Sequence, residues 1–179
     1  MSWITEHARV WRGVALLLLV VSIIGPWTFD LINVPAEYPC SAPLVRLEGD
    51  FCGVPMSGTY IFFGLGSEFV RIVTGLVTGK LVPTEAGRVL LIFLLTILLL
   101  LPAFNTLLMI LRGDRRWLQI FHITVLCLAG GLMLWVLSAE SGLHTSRLWG
   151  PWLYLASVMV LLILEIVVFA SKSRLKPVS

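Results

Sequence analysis

The 179-residue chain is 58% hydrophobic and only 13% charged, with a mean hydropathy of +0.96. Average soluble domains hold about 25% charged residues, so a water-soluble globule is excluded and hydrocarbon is the solvent this composition suits. A formal charge of +3 gives no footprint for nucleic acid.

Taken in chain order, the first apolar run covers residues 13–29, unbroken over 14–24, with Gly25-Pro26 near its far end. Arg9 and Arg12 precede it. A basic start followed by an apolar core is also how a cleaved signal peptide begins. No A-x-A-like site follows, so an uncleaved signal anchor is the simpler reading. Residues 30–58 form an outer loop in which Pro35, Pro39, Pro43 and Pro55, with Gly49, Gly53 and Gly58, exclude a long helix. Within it, 44–47 and 51–54 read as two short strands turning at Glu48-Gly49-Asp50. Cys40 and Cys52 bracket this element. On an oxidising face they are expected to pair, closing a loop of about thirteen residues and stabilising by roughly 3 kcal/mol. The alternative is two free thiols or half of a metal site, for which no other Cys or His lies close in sequence.

Residues 59–80 are apolar but striped. Ser67, Glu68, Arg71, Thr74, Gly75 and Thr78 recur at helical spacing, which describes an amphipathic helix lying in the outer interface or against the bundle. Glu68 and Arg71, three apart, are placed to form an ion pair. A second span of 89–111 follows, nearly pure Leu and Ile, in which Pro102 leaves the Leu98 carbonyl without its usual helical partner. The third span is 117–138 and the fourth 149–170. Each has the roughly 20 residues that about 30 Å of hydrocarbon requires.

Lys and Arg near span ends set orientation, because cytoplasmic flanks hold the excess. Arg9, Arg12, Arg112, Arg115, Arg116, Lys172, Arg174 and Lys176 all fall on one side of a four-span arrangement. Both termini are therefore expected in the cytoplasm. A crossing by 59–80 would carry Arg112, Arg115 and Arg116 outside, against this rule. Tryptophans 3, 11 and 117 inside, and 27, 149 and 152 outside, suit the interfacial belts.

Polar groups within spans are expensive and informative. Counting inward at about 1.5 Å per residue, Asn105 lies roughly 10 Å from Arg112, His122 roughly 8 Å from Trp117 and Glu165 roughly 10 Å from Lys172. Three helices thus place a polar group at one depth. Such a layer either registers the bundle by hydrogen bonding or binds a proton or small ligand, with His122 and Glu165 exchanging the proton and Asn105 orienting the ligand. Cys127, alone in the third span, reads as a small apolar filler. That isolation, with eleven residues between the outer pair, fits poorly with membrane enzymes that pass electrons from disulfides to quinones. Glu140 and His144 read as solvated loop residues, and His7 belongs to no metal-ligand motif in the sequence. There is no phosphate-binding glycine loop, nucleophile elbow or zinc-protease helix, no cofactor or metal is expected, and no internal repeat is evident.

Four spans, cytoplasmic ends, a long first outer loop with two cysteines and a short second one together resemble the claudin and peripheral myelin protein class of tetraspans. That family's outer loop carries a Trp, then Gly-Leu-Trp, then two cysteines; here Trp27 precedes Cys40 and Cys52, and Gly-Leu-Trp is missing. Gly-Pro-Trp-Thr-Phe-Asp at 25–30 and Gly-Asp-Phe-Cys-Gly at 49–53 resemble uncharacterised bacterial tetraspan membrane proteins. The resemblance implies a stapled outer module resting on a helical bundle and carries over no functional residue.

The expectation is one domain over 1–179: an all-α, multi-pass protein of the cytoplasmic (plasma) membrane, a four-helix transmembrane bundle with a disulfide-stapled outer loop and an interfacial helix. Its function is expected to be that of a non-enzymatic scaffold or accessory subunit, whose outer loop contacts a membrane-protein partner or a second copy. The alternative is a small transporter or lipid/small-ligand-binding protein using the Asn105, His122 and Glu165 layer.

Overall fold

The computed structural model describes residues 7–33, 40, 45–46, 51–78, 83–113, 115–138 and 148–174. Five helices and three strands follow in the order α1 (Ala8–Ile24), β1 (Pro26–Asn33), β2 (Val45–Arg46), β3 (Phe51–Ser57), α2 (Gly58–Val77), α3 (Pro83–Arg112), α4 (Arg116–Ser138) and α5 (Trp149–Arg174). Three of these helices contain stretches long and apolar enough to cross a membrane, Phe93–Arg112, Arg116–Ser138 and Trp149–Ser171. They suit a multi-pass membrane protein. Large apolar side chains cover the outside, among them Val10, Leu17, Leu111, Trp135 and Ile163, each at least 60% exposed. Such a surface is stable in hydrocarbon and not in water.

Helices α1, α3, α4 and α5 pack as a ring in which each touches its two neighbours. In α1 the buried positions are Ala8, Arg12, Ala15, Leu19 and Ser22, a four-three alternation that keeps one face inward. Helix α5 runs antiparallel against that face. Ala8 clusters with Leu164 and Val168, Arg12 meets Glu165, and at the other end Gly25 abuts the Trp149 ring. Small residues at 8, 15 and 22 let the two backbones approach.

The first expected span, 13–29, differs from what is found. Its helix starts at Ala8 and stops at Ile24, and 26–29 is strand. Pro26 accounts for the stop, since the residue before proline is pushed out of the α region; Gly25 is extended, with φ −64° and ψ 168°. The chain then enters a three-stranded antiparallel sheet of order β1-β3-β2, so the fold is not purely α. Strand β3 is central, pairing Asp30 with Val54 on one side and Val45 with Gly53 on the other. The expected turn at 48–50 lies outside the described residues. Cys40 and Cys52 form a disulfide, with Cα atoms 6.0 Å apart, that ties the intervening segment to the central strand.

Trp27 anchors the sheet to the bundle. The β1–β3 register shifts between Pro26 and Thr28, and a bulge of this kind re-aims the side chain it carries. Trp27 is buried rather than in an outer aromatic belt. It packs edge-on against Phe62 of α2 and Tyr154 of α5, and its indole N–H donates to the Ser22 carbonyl at 2.6 Å. Helix α2 begins where β3 ends, with the Gly58 N–H donating to the Gly25 carbonyl, and packs against α3 through a stack of Phe69 on Phe93. Its Ser67 and Thr74 hydroxyls, and that of Thr78 just past its end, donate back to carbonyls of the helix. Arg71 is exposed, whereas the Glu68 side chain lies outside the described residues, and with it the expected ion pair. Helix α3 ends on Gly113, whose φ of +76° is the left-handed conformation of a glycine C-terminal stop.

Candidate functional site

Where a purely apolar bundle needs no polar group, this one buries a cluster of them. Arg12, Asn105, Thr106, Gln119, His122 and Glu165 are each at most 2% exposed. They come from all four helices of the ring, and each lies on its helix's inward face.

Glu165 of α5 is the centre of one half. Arg12 grips its carboxylate bidentately, Nε donating to Oε1 at 2.6 Å and Nη2 to Oε2 at 3.0 Å. The planar guanidinium matches a carboxylate in this way, as a lysine ammonium cannot. Gln119 of α4 donates to the same Oε2 at 3.0 Å and to the Glu165 carbonyl at 3.3 Å. Three side-chain hydrogen bonds therefore converge on one carboxylate. An isolated charge at this depth is costly in lipid, and a paired, hydrogen-bonded one much less so. This alters the reading of Arg12, which is not a free flanking charge but an interior one; Arg9, a turn earlier, is exposed.

The other half lies between α3 and α4. The Thr106 hydroxyl donates to the Pro102 carbonyl at 2.6 Å and sits 3.3 Å from His122 Nε2. Asn105 Nδ2 and His122 Nδ1 are buried and have no hydrogen-bond partner among the described residues. Nearby, the Tyr154 hydroxyl donates to the Leu99 carbonyl at 2.6 Å, on the stretch of α3 where Pro102 interrupts regular bonding.

Of the expected trio, Asn105, His122 and Glu165 are all buried, but the direct polar contacts run elsewhere. Glu165 is bonded to Arg12 and Gln119 and His122 to Thr106, while Asn105 Nδ2 meets no partner among the described residues. Sequence reasoning missed Arg12, Gln119 and Thr106. Two of these had a visible signal: Gln119 precedes His122 by three residues on the same helix face, and Thr106 adjoins Asn105. Cys127, expected as a buried filler, is exposed on the outside of α4, a position that hydrocarbon solvates as readily as the core does. Glu140 and His144 lie outside the described residues. Among the described residues, no group of three His, Cys, Asp or Glu is placed to hold a metal ion.

Comparison with protein-family models, with curated proteins and with solved structures finds no match to the chain. The chemistry of these residues is therefore the basis for assigning a role.

Proposed function

We propose that the chain is a non-enzymatic membrane scaffold or accessory subunit in which α1, α3, α4 and α5 all cross the bilayer, both ends face the cytoplasm, and the disulfide-closed sheet is the contact surface for a partner protein or a second copy. Support comes from Trp27, which joins the sheet to the bundle through one hydrogen bond and two aromatic contacts. A surface ordered in advance loses less entropy on binding. The Glu165 carboxylate, which accepts three side-chain hydrogen bonds, fits the same reading, because a side chain held by Arg12 and Gln119 suits registering a bundle better than passing protons or cargo.

A photo-crosslinking residue at Pro55, which is exposed on β3, tests this in intact membranes. The expected result is a discrete adduct of the chain with a protein, either a partner or a second copy. Crosslinking from position 55 to lipid alone, as expected from Val10 on the outside of α1, would refute the proposal.

A further inference from the structure

We infer that the joint between α3 and α4, together with the exposed apolar face of α4 that starts at it, binds an anionic phospholipid. Three arginines meet in this joint within five residues. Arg112 ends α3, Arg115 precedes α4 and Arg116 opens it, so the chain itself holds the Arg112 and Arg115 backbones within about 11 Å. The turn is tight, because Gly113 is left-handed and the Arg115 N–H donates to its carbonyl at 3.1 Å. All three arginine side chains are exposed, and the Arg116 guanidinium lies over the Phe169 ring of α5, 5.8 Å from its centre. Asp114 lies outside the described residues; counted from the sequence, it still leaves the joint a net charge of +2, three arginines less one acid. At this end of the bundle the described residues hold one carboxylate, that of Glu165, and it is buried and bonded to Arg12 and Gln119. No described acid therefore offsets the joint.

Clustered guanidinium groups suit any phosphate, since their forks match its oxygens. The surface that leads away from them selects a lipid. Trp117, Phe121, Leu128 and Trp135 follow Arg116 along one face of α4 and are each at least 47% exposed. From Trp117 to Leu128 is about 16 Å of helix, close to the depth of one leaflet. A phosphate held at the joint thus has its acyl chains against apolar side chains. A choline headgroup brings a cation of its own, which the arginines repel, so a headgroup of net negative charge is favoured. The inference rests on the proposed bilayer crossing of α3 and α4, and the proposed orientation makes the cytoplasmic leaflet the source. It does not depend on what the outer sheet contacts.

The full chain in detergent provides the test, titrated with phosphatidylglycerol or with phosphatidylcholine of the same acyl chains and weighed intact by native mass spectrometry. A basic residue at a membrane surface is worth roughly fivefold in attraction to anionic lipid. Phosphatidylglycerol is therefore expected to bind at least about tenfold more tightly than phosphatidylcholine, with about fivefold lost in each of Arg112→Gln, Arg115→Gln and Arg116→Gln. The triple variant is expected to lose the preference altogether. Arg9→Gln, exposed at the same end but on α1, which lies opposite α4 in the ring, is expected to keep it. Equal affinities for the two lipids in the unaltered chain, or a preference that survives the triple substitution, would overturn the site. So would an equal loss in Arg9→Gln, which would make the attraction a property of the whole bundle end. Displacement of phosphatidylglycerol by excess inorganic phosphate would mean that the acyl chains contribute nothing, and would overturn a lipid site as well. Should the triple variant fail to fold, the single variants carry the test. A failed crosslink at Pro55 would remove the scaffold reading and leave these affinities unchanged, so the two failures are distinguishable.

Discussion

A guanidinium inside a membrane bundle has to be held by something, and Arg12 is held by Glu165 and, through it, by Gln119. Removing one member of such a pair strands the other as an uncompensated charge. Arg12→Leu or Glu165→Leu alone is expected to cost about 3–5 kcal/mol of stability, whereas the Arg12→Leu/Glu165→Leu double variant is expected to recover most of it. Unfolding in detergent–denaturant mixtures measures all three, and equal losses in the single and double variants would show that the pair does not hold α1 to α5. Glu165 was legible from the sequence, since an acid within a long apolar run is conspicuous. Arg12 was not, because a basic residue five positions into a helix that follows other polar residues reads as a membrane anchor. Only the face it shares with Ala8, Ala15, Leu19 and Ser22 distinguishes it from Arg9.

Between elements, close approach decides which substitutions are tolerated. A Cβ on Gly150 would lie 2.5 Å from the Pro26 carbonyl oxygen, and one on Gly58 would lie 2.6 Å from that of Ile23. Backbone atoms cannot swing aside as side chains do. Gly150→Ala and Gly58→Ala are each expected to destabilise by about 1–3 kcal/mol, and Gly131→Ala, which meets nothing within 4 Å, to cost far less. Denaturation midpoints compare them, and similar midpoints for all three would contradict the tight join between sheet and bundle. Reducing the Cys40–Cys52 disulfide is expected to lower stability by roughly 3 kcal/mol, the entropy of a loop of about thirteen residues; no loss on reduction would mean that the sheet is held by packing alone. The cysteine pair and the strands beside it could be read from prolines, glycines and spacing. The third strand could not, because the apolar run through Pro26 and Phe29 looks the same whether it ends a span or edges a sheet. Pro26 was the available cue, as it forces the preceding residue out of the helix.

For the whole molecule, hydrocarbon as solvent is what composition established, and the outward Leu, Ile, Val and Trp side chains accord with it. Lengths and order of the later helices followed from the same apolar runs, with α3 extending further toward its N-terminus than the 89–111 stretch. The interior was harder to read. A polar residue in a span announces that it needs a partner, yet the partner comes from another helix, and no single-chain periodicity says which one. That is why Asn105, His122 and Glu165 could be placed at one depth while the groups that bond two of them, Thr106 for His122 and Arg12 with Gln119 for Glu165, could not be named. Helix α1, 17 residues long with Arg12 within it, is the element whose proposed membrane crossing depends most on such a contact.

Cysteine accessibility in intact cells tests that crossing most directly. In a Cys127→Ser background, single cysteines at His7, Pro55 and Gly113 are probed with a membrane-impermeant maleimide before and after permeabilisation. Labelling of position 55 in intact cells, with positions 7 and 113 labelled only after permeabilisation, is the expected result. Labelling of position 7 from outside would mean that α1 does not cross, and labelling of position 113 from outside would reverse the assignment of sides.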